Sequence, residues 1–496
     1  MMRAGAALLC AACLSACGPK LVAVGAPPRL SPTDHLQQTI RAALADPQLE
    51  YATWGIAVRS LDRHDTLFAL NSGKLLMPAS TMKVVTLAAA AEQLGWDFEY
   101  ETQLVAHGVI ATGFLDGDLV IVGSGDPSID DWDGAATRTF GTWAERLKQA
   151  GVRAVGGRII GDDETFDDLG LGAGWAWDDL AASYATSVGA LQFNENTAQV
   201  VITPGPAAGS PARVSLSPAT ASVTLRNLIV TVPADAPAAI SIKPAPRGAA
   251  AEARGTIGLN AGPLVRNVSV DNPTMYLTAA IRDGLVAHGI DVRGPAIDID
   301  DLTIAPIRHD GVLLISHRSA PLWMLAEPMM KMSQNLFAES LLKALGAHAS
   351  GVGSADAGRA AVQATLRAWG VPPGDVQMAD GSGLSRYNLL TADALVTILA
   401  RVHDNDRLRQ RFEHTLPIAG VDGTLAQRMA GTRAFANARA KTGSFSNARA
   451  LAGYVTTADG EMLAFSIIAN NYAVQPEVID RTSDFIVIAL AQFSRN

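Results

Sequence analysis

The spacing of apolar and polar residues near the start of the chain predicts one helix and one β-hairpin. Residues 31–34 read Ser-Pro-Thr-Asp, a typical helix start, and apolar residues recur at helical spacing over 36–44. Two apolar runs, at 54–58 and 66–70, flank the polar segment 61–65, as in two strands joined by a turn. A short helix followed by a hairpin is therefore predicted.

A second helix is predicted from Pro78 onward. The apolar residues again recur at the helical period, and Gly95 provides a stop signal. This helix would carry Ser80 in its first turn.

The rest of the chain alternates between strand-like and helix-like stretches. Between 98 and 260, short β-branched runs are separated by Pro, Gly and Ala, which predicts a β-rich insertion. Helical spacing returns over 272–289 and 320–346. The C-terminal part is predicted to end in two strands, at 450–456 and 462–469, joined by a polar turn.

Length and composition restrict the class of protein. A chain of 496 residues exceeds what one hydrophobic core usually organises, so more than one domain is expected. Apolar residues make up 48% of the chain and charged residues 18%, a balance typical of a folded globular protein. The net charge of -9 is spread along the chain without a dense run of Lys and Arg, so nucleic acid is not an expected partner.

The N-terminal segment has the pattern of an export signal. A positive start is followed by an apolar stretch over 4–14, which is too short to span a bilayer. The stretch ends in Leu-Ser-Ala-Cys-Gly at 14–18, which resembles a bacterial lipobox and implies lipidation of Cys17. The alternative is an ordinary cleaved signal, and both predict export. All three cysteines fall in this segment, so the mature chain has no thiol for a disulfide, a metal or catalysis.

Cleavage of an amide needs a nucleophile, a base, donors for the oxyanion and an acid for the leaving amine. Ser80 and Lys83 offer the first two, because a spacing of three on a helix brings the amine beside the hydroxyl. A second S-x-x-K pair, Ser340 and Lys343, lies inside a predicted helix, whereas Ser80 lies at a helix start that favours an anion. Ser80 is the better candidate, and its alternative role is that of a helix N-cap.

Two further triplets complete a possible site. Lys441-Thr442-Gly443 precedes the terminal strands, so it is predicted at an exposed sheet edge, where it could hold a substrate carboxylate and leave room for a peptide backbone. Ser333-Gln334-Asn335 lies between two helical segments. The alternative for the first triplet is a strand-entry turn with a solvated lysine, and the alternative for the second is a helix N-cap. Another S-x-N triplet at 494–496 is disfavoured by fraying of the chain end.

The order S-x-x-K, S-x-N, K-T-G is that of β-lactamases and penicillin-binding proteins. Along nearly all of the mature chain, the sequence resembles the class C penicillin-binding proteins, which are D-Ala-D-Ala carboxypeptidases and endopeptidases. Further segments that resemble the family lie at 123–127, 174–179, 194–196 and 380–385.

The resemblance implies an α+β fold. Its core is a transpeptidase/β-lactamase-like domain with a five-stranded antiparallel sheet flanked by helices, interrupted by two nested, β-rich inserted domains. About 250 residues separate Lys83 from Ser333, far more than a β-lactamase needs. The implied division is a signal peptide at 1–17, a tether at 18–32, a catalytic domain at 33–97 and 315–496, an inserted domain II at 98–180 and 262–314, and an inserted domain III at 181–261 nested within domain II.

We expect Lys83, kept neutral by burial and by the charge of Lys441, to deprotonate Ser80. Ser333 would relay a proton to the leaving amine, and Asn335 would orient the acyl-side amide. The remaining expected residues are the backbone N–H groups of Ser80 and Ser444 as oxyanion hole, Thr442 and Gly443 in substrate binding, and, by resemblance, Asp179, Tyr184 and Arg386 at the diaminopimelate side chain.

The chain departs from the family pattern at two positions. Gln334 stands where relatives commonly carry Asp, and Ser446 stands where some relatives place Gln in the diaminopimelate pocket. The second departure puts the preferred substrate side chain in doubt.

The expected activity is that of an exported, periplasmic serine-type D-Ala-D-Ala carboxypeptidase that also cleaves peptidoglycan cross-links and is acylated by penicillin. We expect no cofactor and no metal. Its partners would be stem peptides, cross-links and β-lactams, with membrane contact only through the lipid anchor.

Two alternatives stay open: a β-lactamase-like hydrolase that deacylates through a Glu-activated water, and a cell-wall-binding lipoprotein with decayed catalysis. A metallopeptidase is disfavoured, because none of the nine His residues lies in H-E-x-x-H. An α/β-hydrolase is disfavoured by the lack of G-x-S-x-G.

Overall fold

The computed structural model describes residues 30–234, 236–245, 251–306 and 310–496. The predicted signal peptide, Cys17 and nearly all of the tether lie outside these residues. The α-helices formed by the described residues are α1 (Pro32–Leu44), α2 (Met82–Gln93), α3 (Ala135–Gln149), α4 (Pro273–Ala287), α5 (Leu322–Lys331), α6 (Asn335–Ser350), α7 (Ala355–Ala368), α8 (Ala392–His403), α9 (Arg409–Thr415) and α10 (Pro476–Gln492).

The strands of the described part of the chain form several sheets. In chain order they are β1 (Thr53–Ser60), β2 (Thr66–Leu70), β3 (Glu101–Ala111), β4 (Phe114–Val122), β5 (Ala154–Val155), β6 (Ile159–Asp162), β7 (Thr197–Thr203), β8 (Arg213–Ser217), β9 (Leu225–Val232), β10 (Ala239–Pro244), β11 (Ala251–Gly258), β12 (Leu264–Ser269), β13 (Asp291–Val292), β14 (Ala296–Asp298), β15 (Val312–Arg318), β16 (Val376–Gln377), β17 (Leu389–Leu390), β18 (Arg439–Phe445), β19 (Ala448–Thr456) and β20 (Met462–Asn470).

The central sheet has the strand order β18-β19-β20-β1-β2. Every neighbouring pair in it is antiparallel. This confirms the predicted five-stranded antiparallel sheet, the N-terminal hairpin and the terminal β19–β20 hairpin. The strand that carries Lys441-Thr442-Gly443 lies at the sheet edge, as predicted, with one isolated bridge from Ile418 to Arg439 on its outer side.

Alternate residues of the central strands enter two different cores. On β20, Phe465 and Ile467 pack with α1 and α10, whereas Ala464 and Ile468 face the core that contains α2 and α8. Helices therefore cover both faces of the sheet, as the period of two along each strand requires.

Helix α10 corrects the prediction that the chain ends in strands. Its buried residues Ile479, Ile486 and Leu490 recur at helical spacing, and Pro476 occupies its first turn. The terminal strands lie before it, and α10 packs against β19, β20 and α1.

Helix α2 is buried on all sides. Every residue from Met82 to Ala91 is buried, and α5, α6, α7 and α8 surround the helix. Small alanines allow these helices to approach closely. Because no side of the stretch 82–91 faces water, its two polar side chains, those of Lys83 and Thr86, need protein partners.

The stretch between α2 and α5 contains the predicted β-rich region. Its strands form a seven-stranded sheet and two three-stranded sheets, β10-β11-β9 and β12-β7-β8. Helix α4 confirms the helix predicted over 272–289, whereas α3 was not predicted. The nested division into domains II and III stays a prediction.

The second S-x-x-K pair joins this inserted stretch to α6. Ser340 Oγ accepts a hydrogen bond from Gln192 Nε2 at 2.8 Å. Lys343 Nζ donates to Asp167 Oδ1 at 2.7 Å and to the carbonyl oxygens of Asp167 and Leu169 at 3.1 Å each. Both side chains are buried, so this pair connects α6 to the inserted stretch and does not face a cavity.

Candidate active site

Ser80 lies in a tight turn that leads directly into α2. Residues Ala79–Thr81 form one turn of 3-10 helix, and Ala79 adopts a left-handed φ of 47°. Such a conformation is strained for a residue with a side chain, and strain of this kind clusters at functional sites. The turn is held between two glycines: a Cβ at Gly383 would lie 2.0 Å from Ala79 O, and one at Gly443 would lie 2.5 Å from Pro78 O.

The side chain of Lys83 is fully buried and makes three polar contacts. Its Nζ lies 3.1 Å from Ser80 Oγ, 2.6 Å from Asn335 Oδ1 and 2.8 Å from the carbonyl oxygen of Ser382. A neutral amine has two N–H donors and one lone pair. Asn335 Oδ1 and the Ser382 carbonyl oxygen can only accept, so they occupy the two N–H groups. The lone pair is then directed at the Ser80 hydroxyl.

The electrostatic environment favours this neutral form. Burial lowers the pKa of Lys83 to about 7, although the negative charges of Glu339 and Asp380 act in the opposite direction. Burial and the positive charge of Lys83 lower the pKa of Lys441 well below its usual range. The sequence-based expectation differed, because it placed the effect of the neighbouring lysine on Lys83.

Ser333 pairs with the second lysine. Lys441 Nζ donates to Ser333 Oγ at 2.8 Å and to the carbonyl oxygen of Thr442 at 2.9 Å. Ser333 itself has a left-handed φ of 63°. Beside it, Asn335 Nδ2 donates to the carbonyl oxygen of Tyr184 at 2.7 Å, so the inserted stretch helps to hold this asparagine.

These groups converge on one cavity of about 550 Å³. The buried Lys83 and Lys441 reach it through their contacts with Ser80 and Ser333. Eight of the predicted residues line the cavity: Ser80, Ser333, Asn335, Thr442, Ser444, Asp179, Tyr184 and Arg386. The remaining predicted residue, Gly443, faces the Ser80 turn on the side where a Cβ would lie, so its lack of a side chain allows the edge strand to approach that turn.

Opposite charges share this cavity. Asp178 and Asp179 line it together with Arg386 and Arg449. Tyr184 Oη donates to Asp179 Oδ1 at 2.7 Å, and burial followed by this contact raises the pKa of Tyr184 to about 12. The cavity can therefore hold a group that carries both an ammonium and a carboxylate.

Arg386 is oriented by the end of β18. Its Nη1 donates to Asn447 Oδ1 at 3.1 Å, and its guanidinium lies 5.3 Å from the centre of the Phe445 ring. This stacking fixes the long side chain over the part of the cavity that Ser446 also lines.

Gln334, the residue that departs from the family pattern, contacts the inserted stretch. Its Nε2 donates to Glu195 Oε2 at 2.6 Å. Glu195 belongs to three consecutive residues with left-handed φ, at 51°, 55° and 53° for Asn194, Glu195 and Asn196. Sequence reasoning gave Glu195 no role, although the Asn-Glu-Asn triplet was visible as a family-like segment.

Thr424 was also missed. It lines the cavity and accepts a hydrogen bond from Thr442 Oγ1 at 2.7 Å. The turn that carries it is tied to the end of α5 by an ion pair between Asp422 and Lys331. The sequence signal was the Gly-flanked turn at 420–424, which has no chemical signature by itself.

Within the described ranges, one group of side chains has the spacing of metal ligands. Oxygens of Asp163, Asp298 and Asp300 lie within 4.8 Å of one another. None of the three lines the Ser80 cavity, and burial raises the pKa of Asp163 to about 6. Clusters of acidic residues are common without an ion, so this group has no assigned role.

Comparison with known proteins gives consistent matches. A family model described as the D-Ala-D-Ala carboxypeptidase 3 (S13) family matches residues 36–492. The D-alanyl-D-alanine carboxypeptidase of Actinomadura sp. (strain R39) is 33% identical over 470 residues, covering 92% of this chain and 85% of that relative. D-alanyl-D-alanine carboxypeptidase DacB of Haemophilus influenzae is 29% identical over 445 residues, covering 89% of each chain.

A solved structure matches over a similar length. The crystal structure of penicillin binding protein 4 (dacB) from Haemophilus influenzae aligns with a TM-score of 0.78 at 26% sequence identity. The alignment covers 93% of this chain and 99% of that one.

Proposed function

The chain belongs to the D-Ala-D-Ala carboxypeptidase 3 (S13) family and is a serine-type D-Ala-D-Ala carboxypeptidase, and we propose that it acts through an acyl-enzyme on Ser80. The family resemblance and the transpeptidase-type fold inferred from the motifs are confirmed. The contact between Lys83 Nζ and Ser80 Oγ at 3.1 Å is the observation on which the proposed mechanism rests.

The first step is proton transfer from Ser80 to the neutral amine of Lys83. The Ser80 oxygen then attacks the carbonyl carbon of the penultimate D-Ala, and the resulting oxyanion is held by the N–H groups of Ser80 and Ser444. Both residues line the cavity. Asn335, fixed between Lys83 and the Tyr184 carbonyl, orients the acyl-side amide.

The second step breaks the C–N bond. Ser333, bound to Lys441, relays to the departing nitrogen the proton that Lys83 took from Ser80, so D-Ala leaves as a neutral amine and Lys83 returns to its neutral form. Thr442, with Thr424 beside it, faces the terminal carboxylate of the substrate. Water then hydrolyses the ester and restores the Ser80 hydroxyl.

The same steps serve an endopeptidase when the departing nitrogen belongs to a cross-linked diaminopimelate. They also lead to acylation by penicillin, which presents a strained amide to the same serine. The matched Haemophilus protein is named a penicillin binding protein. A β-lactamase-like cycle stays the alternative, and it would release the penicillin product rapidly instead of retaining it.

A labelled penicillin tests the role of Ser80. It should acylate the wild type and leave Ser80→Ala unlabelled, as read by gel fluorescence and intact mass. Ser340→Ala is the matched control, since it removes the hydroxyl of the other S-x-x-K pair and should keep full labelling. Label retained by Ser80→Ala would contradict the mechanism. Release of the penicillin product by the wild type within seconds would favour the β-lactamase alternative.

The two lysines of the S-x-x-K pairs form a second matched comparison. Lys83→Met should abolish labelling. Lys343→Met should keep it but lose about 3 kcal/mol in the free energy of unfolding, because it leaves Asp167 without its buried partner.

The pH dependence follows from the lowered pKa of Lys83. The base acts in its neutral form, so kcat/KM for D-Ala release should be low under acidic conditions and rise as pH increases through about 7. An unperturbed lysine would place this rise near 10.5. Measured D-Ala release between pH 5 and 9 distinguishes the two, and a profile still rising at the upper end would contradict the neutral-base mechanism.

We also propose that Asp179 binds the distal ammonium of a diaminopimelate side chain and that Arg386 contacts its carboxylate. Asp179 and Arg386 both line the cavity that Ser80 also lines. Ser446 occupies the position where some relatives carry Gln, so it leaves more space beside Arg386.

Asp179→Asn should lower kcat/KM on a diaminopimelate pentapeptide about 10-fold, because a charge-assisted contact is lost. The matched substrate is the same peptide with its distal amine acetylated, on which variant and wild type should be nearly equal. An equal loss on both peptides would indicate a structural defect and contradict the assignment.

The enzyme acts on peptidoglycan and is exported. Across the residues that the structure covers, no helix combines the length and apolar character needed to cross a bilayer. We propose that residues 1–17 direct export and that the mature chain is lipidated on Cys17.

Cys17→Ser should move the protein from the membrane fraction to the soluble fraction of the periplasm. The mass of the wild-type N-terminal peptide should exceed that of the unmodified sequence by a diacylglyceryl group. An unmodified N-terminus at another position would indicate an ordinary cleaved signal.

A further inference from the structure

A buried carboxylate lies close to the proposed base. Glu339 follows Asn335 by four residues on α6, so the two side chains project from the same face of the helix. Glu339 is 5% exposed. A carboxylate is costly to bury unless it is fully hydrogen-bonded, so its partners indicate its purpose.

Both oxygens of Glu339 are occupied by consecutive backbone donors. Oε2 accepts from the N–H of Gly381 at 3.0 Å, and Oε1 accepts from the N–H of Ser382 at 2.7 Å. On the other side of this segment, Thr86 Oγ1 donates to the carbonyl oxygen of Gly381 at 2.7 Å. The backbone of 381–382 is therefore fixed between α6 and α2.

This backbone segment supplies one of the three partners of the proposed base. The Ser382 carbonyl oxygen accepts from Lys83 Nζ at 2.8 Å. If that carbonyl turned away, an N–H of Lys83 would lose its acceptor and the amine could rotate. Its lone pair would then no longer be directed at Ser80.

We propose that Glu339 is a positioning residue for acyl transfer: it holds the Gly381–Ser382 backbone so that the Ser382 carbonyl aligns the Lys83 amine with Ser80. This inference rests on the proposed role of Lys83. Glu339 acts through the backbone and touches neither the substrate nor the reacting atoms.

Asp380 holds the neighbouring part of the same loop. Its carboxylate accepts from the N–H groups of Gly383 and Ser385, from Asn388 Nδ2 and from Trp175 Nε1. The N–H of Gly383 belongs to the same peptide group as the Ser382 carbonyl, so Asp380 holds that carbonyl from the far side. Glu339 holds the two preceding N–H groups, those of Gly381 and Ser382, and so fixes the backbone on the near side.

Charge gives Glu339 a second effect that can be measured. The charged groups around Lys83 are Glu339, Asp380 and Lys441, and the negative charge of Glu339 raises the pKa of Lys83 against the effect of burial. Burial, followed by repulsion from Asp380, raises the pKa of Glu339 itself. Removing the charge of Glu339 should therefore lower the pKa of Lys83 and move the acidic limb of the rate profile to lower pH.

Glu339→Gln tests the proposal, because glutamine keeps the shape but offers one acceptor oxygen to two N–H donors. We expect kcat for D-Ala release to fall about 10- to 100-fold at pH 8, with KM within about 3-fold of wild type. The acidic limb should move to lower pH by about half a unit or more. The readout is the pH profile of D-Ala release, together with the rate of penicillin acylation.

Glu461→Gln is the matched control. Glu461 is also buried, and it pairs with Arg495 outside the cavity. This variant should lower stability and leave both kcat and the acidic limb unchanged. If Glu339→Gln does not fold, Glu339→Asp serves in its place: it keeps the charge but withdraws the oxygens, so kcat should fall while the acidic limb stays in place.

Wild-type kcat in a folded Glu339→Gln would overturn the proposal. So would a fall in activity that tracks loss of folded protein with no movement of the acidic limb, since that result indicates a structural role. The labelling of Ser80→Ala distinguishes failure of the positioning role from failure of the proposed mechanism. If Ser80→Ala is unlabelled while Glu339→Gln behaves like wild type, the positioning role fails and the mechanism stands.

Discussion

The burial of two lysines within one electrostatic environment is the constraint on which the rest of the site depends. Lys83 and Lys441 are both fully buried, and the charge of one lowers the pKa of the other. Two ammonium groups in such a place would be costly. The surrounding structure therefore supplies neutral acceptors, namely an asparagine, a serine and backbone carbonyls. The same acceptors that make burial tolerable also direct the amines at the two serines.

The inserted stretch takes part in this arrangement although it lies far away in the chain. The Tyr184 carbonyl binds Asn335, Glu195 binds Gln334, and Trp175 Nε1 binds Asp380. Two of these contacts reach the Ser333-Gln334-Asn335 triplet, and the third reaches the loop at Asp380. The insertion therefore holds residues of the site in place and also contributes Asp179, which lines the cavity.

The sequence predicted those parts of the molecule whose signal is local or carries a chemical signature. Helix α2 and the edge position of the strand that carries Lys441 follow from periodicity and the order of the motifs, whereas the five-stranded sheet follows from the family resemblance. Eight of the residues that line the cavity were predicted as well. Helices α3 and α10 were not predicted: α3 lies within a stretch dominated by β-branched runs, and α10 follows directly on two strands, although Ile479, Ile486 and Leu490 recur at the helical period. Neither periodicity nor a motif could identify Glu339. A glutamate in an amphipathic helix looks like a surface residue until the chain that donates to it, 42 residues further on at Gly381, is placed beside it.

The crowded turn around Ser80 has an evolutionary consequence. Pro78 O and Ala79 O lie against Gly443 and Gly383 so closely that no side chain fits at either glycine. Few substitutions around the Ser80 turn are therefore available for selection by β-lactam antibiotics. Substitutions that discriminate an antibiotic from the natural peptide are therefore expected at the periphery of the cavity, at side chains such as Ser446 and Thr424, which line it.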